Sequence, residues 1–216
     1  MTSTSKTPQN TSLRLAILLL AAGEGSRAGS IPKALLKKDG QSLLRRFCQV
    51  ARGFSPTELL VVTGFHAHVI NAELALIGRD VDLPITIVLN PHPELGQPSS
   101  VRLGLESLKT QYDILLVALS DQPKVGAQEI ADLITLFEKR DLHCEMILPM
   151  VGQKRGNPVL FSQKAIHEIL ATPGMVCREY MDQNPELVQI FSTENMAYVV
   201  DVDTQADIQK LGLDQI

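Results

Sequence analysis

LRLAILLLAAGEGSRAGSIPK, residues 13–33, decides how this chain is read. Its first part, 13–22, is a nearly continuous apolar run, the pattern of a strand covered on both faces rather than one facing water at every second residue. It predicts a central parallel strand. A glycine-rich loop follows, with the cations Arg27 and Lys33. Open α/β sheets hold their ligands at the carboxyl ends of strands, so this loop stands where a ligand would. Gly23, Gly25 and Gly29 allow positive φ and let backbone N–H groups approach an anion. Arg27 and Lys33 add the charge that phosphate oxygens need.

Outward from the loop, strand and helix patterns alternate. Helical spacing at Leu43, Phe47, Val50, Ala51 and Phe54 leads to the β-rich run LLVVT (59–63), a βαβ unit. TIVL (86–89), a helix with Val101, Gly104, Leu105 and Leu108 on one face, and ILLVAL (114–119) repeat the pattern. A helix carrying Ile130, Leu133, Ile134 and Phe137 then leads to MILPM (146–150). The class is α/β, a Rossmann-like three-layer α/β/α arrangement with a mostly parallel sheet. Beyond Gly152 come a short strand PVLF, two helices, then VQIF and AYVVDV. The last two are expected to pair antiparallel as a small C-terminal addition over the substrate.

The loop has three competing readings. Gly23-x-Gly25-x-x-Ala28 matches the dinucleotide fingerprint, but Gly29 and Pro32 interrupt the helix that should begin there. The second strand also runs into Thr63-Gly64-Phe65 without the acidic residue that fingerprint requires. A Walker A loop needs Gly-Lys-Ser/Thr, which the segment lacks. A plain strand-to-helix connection needs about 2–6 residues, and this one is longer and carries two cations.

Composition narrows the function. The chain has 216 residues, 44% hydrophobic and 20% charged, enough to bury a full core, and its net charge of −4 lacks the clustered basic residues of a nucleic-acid footprint. Residues 13–216 read as one domain and the polar 1–12 as a disordered arm. Cys48, Cys144 and Cys177 are odd in number and widely spaced, which points to a reducing, cytoplasmic setting. No apolar stretch approaches the roughly 20 residues that span a bilayer, so no membrane role is expected. His66, His68 and His92 do not assemble a closed zinc set.

Magnesium accompanying a nucleotide favours one or two carboxylates. Asp121 in LSDQP follows the strand that ends at Leu119, on the edge of the sheet where the glycine loop lies. Asp203 in VVDVDTQAD follows the last strand. Two readings stay open there, since Asp201, Asp203 or Thr204 could instead cap a helix over Gln205 to Leu211.

With these residues in view, the chain resembles the molybdenum cofactor cytidylyltransferases, within the nucleotidyltransferases of sugar-nucleotide pyrophosphorylase-like (nucleotide-diphospho-sugar transferase-like) fold. LLLAAGEGSRAGSIPKALL is similar to that family's LAAG-x-S-x-R-M-G-x-x-K-L signature, and NPHPELGQPSSVRLGLESL to its N-P-x-x-x-x-G-x-x-x-S-V/L segment. LVALSDQPKV, ILPMVGQKRGNPVLF and VVDVDTQADIQKL follow in the family's order. Ala28, Ser120, Asn157 and Gln205-Ala206 depart from it, and none of these removes a charge the chemistry needs.

The resemblance implies roles by position. Ala21, Ala22, Gly23 and Gly25 would hold the nucleotide, with Ser99 and Ser100 closing on it. Arg27 would meet the β and γ phosphates and Lys33 the α-phosphate. Asp121 and Asp203 would share Mg2+, with Mn2+ as the alternative, and Gly156 and Asn157 would meet the acceptor. Ala22, as the second alanine of LAAG, goes with CTP rather than GTP. The implied reaction transfers CMP from CTP to molybdopterin, with a transient contact to a molybdenum hydroxylase or its chaperone. Rival readings are transfer onto a sugar or alditol phosphate, a non-catalytic CTP-binding cofactor chaperone, and a glycosyltransferase using Asp201-Val202-Asp203. The last is disfavoured because its DxD normally sits mid-chain.

Overall fold

Every residue of β1 (Leu15–Ala21) is buried, because alternate side chains enter two separate cores. Leu15, Ile17 and Leu19 join one, and Ala16, Leu18 and Leu20 the other. The computed structural model describes residues 13–215, so the arm expected over 1–12 lies outside the described residues.

The remaining strands are β2 (Lys37–Lys38), β3 (Gln41–Ser42), β4 (Glu58–Thr63), β5 (Ile85–Leu89), β6 (Ile114–Leu119), β7 (Met146–Val151), β8 (Lys154–Arg155), β9 (Val159–Ser162) and β10 (Val188–Ser192). The main sheet has the order β10-β7-β9-β6-β1-β4-β5, with β8 hairpinned onto β7, while β2 and β3 form a small separate ribbon. β1 lies between β4 and β6 and is parallel to both. The sheet is mostly parallel and flanked by helices, the class expected from 13–22.

The helices are α1 (Leu43–Arg52), α2 (Ala67–Asp80), α3 (Gln97–Ser107), α4 (Ala127–Glu138), α5 (Gln163–Ala171), α6 (Cys177–Gln183) and α7 (Gln205–Lys210). α1, α2 and α4 cover one face through Leu44, Phe47, Ile70, Leu74, Ile130 and Leu133. α3, α5 and α6 cover the other through Val101, Leu105, Ile166, Ile169 and Tyr180. Gly104 lets α3 lie close on β1: a Cβ there would stand 2.5 Å from Leu18 Cδ1. A third cluster, including Ala28, Leu36, Val202 and Ile208, packs α7 beneath the glycine loop.

The antiparallel element is not the one expected. PVLF supplies it, as β9 runs antiparallel between β6 and β7. VQIF forms β10, which adds parallel to the outer edge of β7. AYVVDV forms no strand. Met196–Tyr198 is a 3₁₀ turn, and the irregular chain after it brings Asp201 and Asp203 to the carboxyl ends of the sheet. Its polar groups pair with neighbouring loops instead of a ladder: Asn157 N–H donates to Tyr198 O at 2.8 Å, and Val202 N–H to Asp121 O at 3.0 Å. The buried Tyr198 ring anchors the turn, its hydroxyl donating to Glu129 O at 3.0 Å.

Candidate active site

The chain leaves β1 for β4 on one side and later returns to β6 on the other. This reversal opens a crevice at the carboxyl ends of β1 and β6. A cavity of about 440 Å3 fills it. Ala21, Ala22, Gly23, Arg27, Lys33, Ser100, Asp121 and Asp203 all line it, so most of the residues singled out in the sequence converge there. The glycine loop is not the start of a helix. It folds as two 3₁₀ turns, Ser26–Ala28 and Lys33–Leu35, and α1 begins only at Leu43. This is the geometry that excludes the dinucleotide fingerprint.

The glycines divide the work. Gly25 and Gly29 have φ of 69° and 95°, as expected, and a Cβ on Gly25 would collide with the Ile31 carbonyl. Gly23 is not in the positive-φ region; its missing side chain leaves open space on the cavity wall. Gly25 shapes the loop from outside the lining. The loop is tied down by His66 Nε2, 2.8 Å from Glu24 O, and by Gln205, whose side chain donates to Ala28 O.

Lys33 is the electrostatic centre. Its Nζ donates to Asp121 Oδ2 at 2.6 Å and to Asp203 Oδ1 at 3.2 Å, and its side chain is 17% exposed. Burial works against the charge, but the two carboxylates outweigh it and hold the ammonium above the ordinary lysine range. Arg27 reaches the same Asp203 at 2.9 Å from an exposed position. Asp203 is therefore no helix cap. Thr204 caps α7, accepting from Asp207 N–H, while the Asp207 carboxylate accepts from the N–H groups of Asp203 and Thr204. That box leaves the Asp203 carboxylate facing the cavity.

Asp201 lines the same cavity, and sequence reasoning had weighed it only as a cap or as part of a DxD. Burial, then repulsion from Asp203 and Asp121, pushes its carboxyl above the usual aspartate range. Three carboxylates with oxygen-only donors at one edge fit a hard divalent cation, which takes oxygen ligands and keeps several waters. The residues present suit a hard divalent cation such as Mg2+ or Mn2+. Among the described residues a different trio, Asp141, His143 and Cys144, brings its potential ligand atoms within 4.8 Å of one another, but none of these lines the cavity.

Ser100 is buried and lines the cavity, whereas Ser99 does not and turns to Gly96 O at 2.8 Å. Both accept from Asn90 Nδ2 at 2.9 Å, so the buried asparagine that opens the NPHPELGQPSSV segment, given no role from the sequence, orients the start of α3. Gly156 and Asn157 line a second cavity of about 280 Å3, which meets the first at Gln97. Its floor is apolar, with Val117, Leu148 and Phe161, and Arg155 and Arg178 stand among its lining residues. Gly64 was also missed. A Cβ there would lie 2.7 Å from Ala22 O and 2.9 Å from Ala22 Cβ, so this glycine lets β4 close against the cavity wall. The legible signal was its place, Thr63-Gly64-Phe65, at the carboxyl end of a strand beside the loop. No helix among the described residues is long and apolar enough to cross a membrane.

The fold is shared with solved structures. Rv0371c from Mycobacterium tuberculosis H37Rv superposes with a TM-score of 0.72 at 23% identity, covering 92% of this chain and 97% of that one. A manganese complex of Rv0371c gives 0.67 at 21% identity, with the same coverage. 4-Diphosphocytidyl-2C-methyl-D-erythritol synthase from Anaerococcus prevotii gives 0.68 at 17% identity, covering 92% and 94%. Among curated relatives, the bifunctional protein GlmU of Mycobacterium avium is 36% identical over 121 residues, 55% of this chain and 24% of that protein. The match thus spans about a quarter of that relative's length. Nicotine blue oxidoreductase of Paenarthrobacter nicotinovorans is 28% identical over 200 residues, 90% of this chain and 94% of that protein. The model of the MobA-like NTP transferase domain matches residues 17–185, a span that contains the glycine loop, Lys33 and Asp121, and the chain belongs to this nucleotidyltransferase family.

Proposed function

We propose that the chain transfers CMP from CTP to the terminal phosphate of molybdopterin, releasing pyrophosphate and forming molybdopterin cytosine dinucleotide. The observation that carries nucleotidyl transfer is Lys33 Nζ held between Asp121 and Asp203 on the wall of the cavity formed by Ala21, Ala22 and Gly23. Paired acidic and cationic groups against a glycine loop suit a reaction whose difficulty is charge, since phosphoryl-type transfer needs positioning and neutralisation more than covalent help from the protein. The same pairing supports transfer over the redox chemistry for which one relative is named.

The nucleotide would lie along the glycine loop, with Lys33 moving from the carboxylates to the α-phosphate and Arg27 to the β and γ phosphates. Asp121 and Asp203 would hold Mg2+ or Mn2+, which when bound supplies positive charge against the triphosphate. The acceptor would enter the second cavity beside Gly156 and Asn157, bringing its phosphate toward the junction at Gln97. A phosphate monoester with a second pKa of about 6 is largely a dianion near neutrality. Its oxygen attacks the α-phosphorus, the bond to the β-phosphate oxygen breaks, and no general base is needed. The absence of any Ser-His or Cys-His pair from the lining of either cavity accords with this. CTP rather than GTP rests on Ala22, and the pterin acceptor on the resemblance together with the apolar floor of the second cavity.

Pyrophosphate release tests the reading, measured with each of the four nucleoside triphosphates, with and without molybdopterin. CTP-dependent release that requires molybdopterin is expected. Turnover only with a sugar or alditol phosphate would overturn the acceptor, and preference for GTP would overturn the Ala22 argument. Tight CTP binding without turnover on any acceptor would favour a cofactor chaperone instead.

A further inference from the structure

Arg102 lies on α3, lines neither cavity and plays no part in the chemistry above. Its guanidinium is nonetheless, among the described residues, the side-chain group that donates to the most partners. Nη1 donates to Ile169 O at 3.0 Å, Thr172 O at 3.0 Å and Met175 O at 3.3 Å; Nη2 donates to Leu170 O at 3.1 Å; Nε pairs with Glu106. Ile169 and Leu170 are in the last turn of α5, where carbonyls run out of regular helical partners; Ile169 O accepts only a long bond from the Thr172 N–H at 3.3 Å. Thr172 and Met175 belong to the turn that carries the chain from α5 into α6. One planar fork thus gathers four carbonyls: Ile169 O and Thr172 O otherwise accept only long backbone N–H bonds, from Thr172 at 3.3 Å and Met175 at 3.2 Å, while the fork is the donor to Leu170 O and Met175 O.

What that turn does next gives the contacts their meaning. Immediately beyond it, Val176, Cys177, Arg178 and Met181 form one wall of the second cavity, and Pro98 and Val101 of α3, the helix that carries Arg102, form the facing wall. The guanidinium therefore fixes the spacing between the walls of the acceptor slot. It does so from behind the slot, away from the nucleotide cavity.

We propose that Arg102 is a positioning residue for the acceptor, setting the width of the apolar slot between α3 and α6 without contributing to nucleotide binding. The inference rests on the second cavity being the acceptor site. Removing the fork leaves Leu170 O and Met175 O without a donor and the α5–α6 turn held only by its long backbone bonds, so the wall that starts at Val176 loosens, and the acceptor loses its fit while the triphosphate site is untouched.

The test uses Arg102→Ala and Arg102→Lys in the full chain, the lysine keeping a cation but not the planar fork. Steady-state pyrophosphate release is measured against acceptor and nucleotide separately. Arg102→Ala is expected to raise the acceptor KM at least tenfold and leave the nucleotide KM within twofold, with Arg102→Lys intermediate. If the alanine variant does not fold, the lysine variant carries the test, with at least a threefold rise in acceptor KM. A second readout needs no turnover: N-ethylmaleimide labelling with the modified cysteine located by peptide mass mapping. Cys177 is 7% exposed, and burial pushes its thiol up to about 12, so it is protected in the intact slot. Its labelling should accelerate at least fivefold in the variants while that of Cys48 stays unchanged. Equal rises in both KM values, or faster labelling of Cys48 as well, would reduce Arg102 to a general structural residue and overturn the proposal. So would an unchanged acceptor KM with Cys177 still protected. If the unaltered chain turns over no acceptor, the proposed function fails, while the Cys177 readout still decides the role of Arg102 in holding the wall.

Discussion

Replacing Gly64 by alanine isolates the contact between β4 and the nucleotide cavity. The added Cβ would stand 2.7 Å from Ala22 O, 2.8 Å from Pro93 Cβ and 2.9 Å from Ala22 Cβ, where ordinary contact begins near 3.4 Å. None of these atoms is the free end of a flexible side chain. Relief therefore requires Ala22 and the Thr63-Gly64-Phe65 turn to separate by about 0.5–0.7 Å, the shortfall in those distances. Gly64 is not in the positive-φ region, so the effect is contact alone, without backbone strain. Overpacking of this kind costs about 1–3 kcal/mol of stability. A misplacement of about 1 Å can cost around a hundredfold in rate, so a shift of half that size predicts roughly a tenfold loss in kcat/KM for the nucleotide. Urea denaturation followed by pyrophosphate-release kinetics measures both. Gly78→Ala on α2 is the control: nothing lies within 4 Å of its Cβ, and in a helix alanine should stabilise by up to about 1 kcal/mol. A folded Gly64→Ala protein with nucleotide kinetics within twofold of the original would refute the reasoning.

Lys33→Ala should lower transfer by about a hundred- to a thousandfold, the usual consequence of losing a preorganised charge. With the ammonium no longer between Asp121 and Asp203, it should also tighten Mn2+ binding in the absence of nucleotide, measured by the loss of the free-ion paramagnetic resonance signal. Thr204→Ala removes the cap of α7 and should cost about 0.5–2 kcal/mol by thermal denaturation, with a weaker metal dependence because Asp203 loses its neighbouring support. Glu58 is buried at the start of β4. Burial opposes its charge, but hydrogen bonds from the Thr86 side chain and the N–H groups of Lys109 and Thr110 hold its carboxyl below the usual range. A carboxyl depressed in the folded state contributes stability above its unfolded pKa and loses it as pH falls through the folded one. Glu58→Gln should therefore destabilise by about 1–3 kcal/mol at neutral pH, and the gap should narrow once the pH drops below about 4. A gap constant from pH 7 to pH 3 would contradict this.

How much was legible in advance follows from the range of each signal. The apolar run over β1, the helical stripes of α1, α3 and α4, and the glycine loop with its two cations are patterns within a few turns of chain, where periodicity and composition act directly. β9 and β10 were read as strands, but no direction was read for PVLF, and VQIF was expected antiparallel where β10 in fact runs parallel to β7. VLFS and VQIFS have similar composition, and pairing depends on which sheet position the preceding connection leaves open. AYVVDV carries strand-forming residues, yet Tyr198 buries its ring and the backbone finds partners in the Asp121 and Asn157 loops, so tertiary hydrogen bonds override the local preference.

The sequence by itself determined the α/β class, the place of the glycine loop after β1, and the candidates Arg27, Lys33 and Asp121, because each lies in a segment that leaves the carboxyl end of a strand; Asp203 was singled out as well, though the strand expected before it does not form. Only the tertiary structure decided that Lys33 bridges Asp121 and Asp203, that Thr204 rather than Asp203 caps α7, and that Asn90, Gly64 and Arg102 shape the two cavities. Those facts depend on contacts between residues far apart in the chain, and nothing local encodes which strand end meets which.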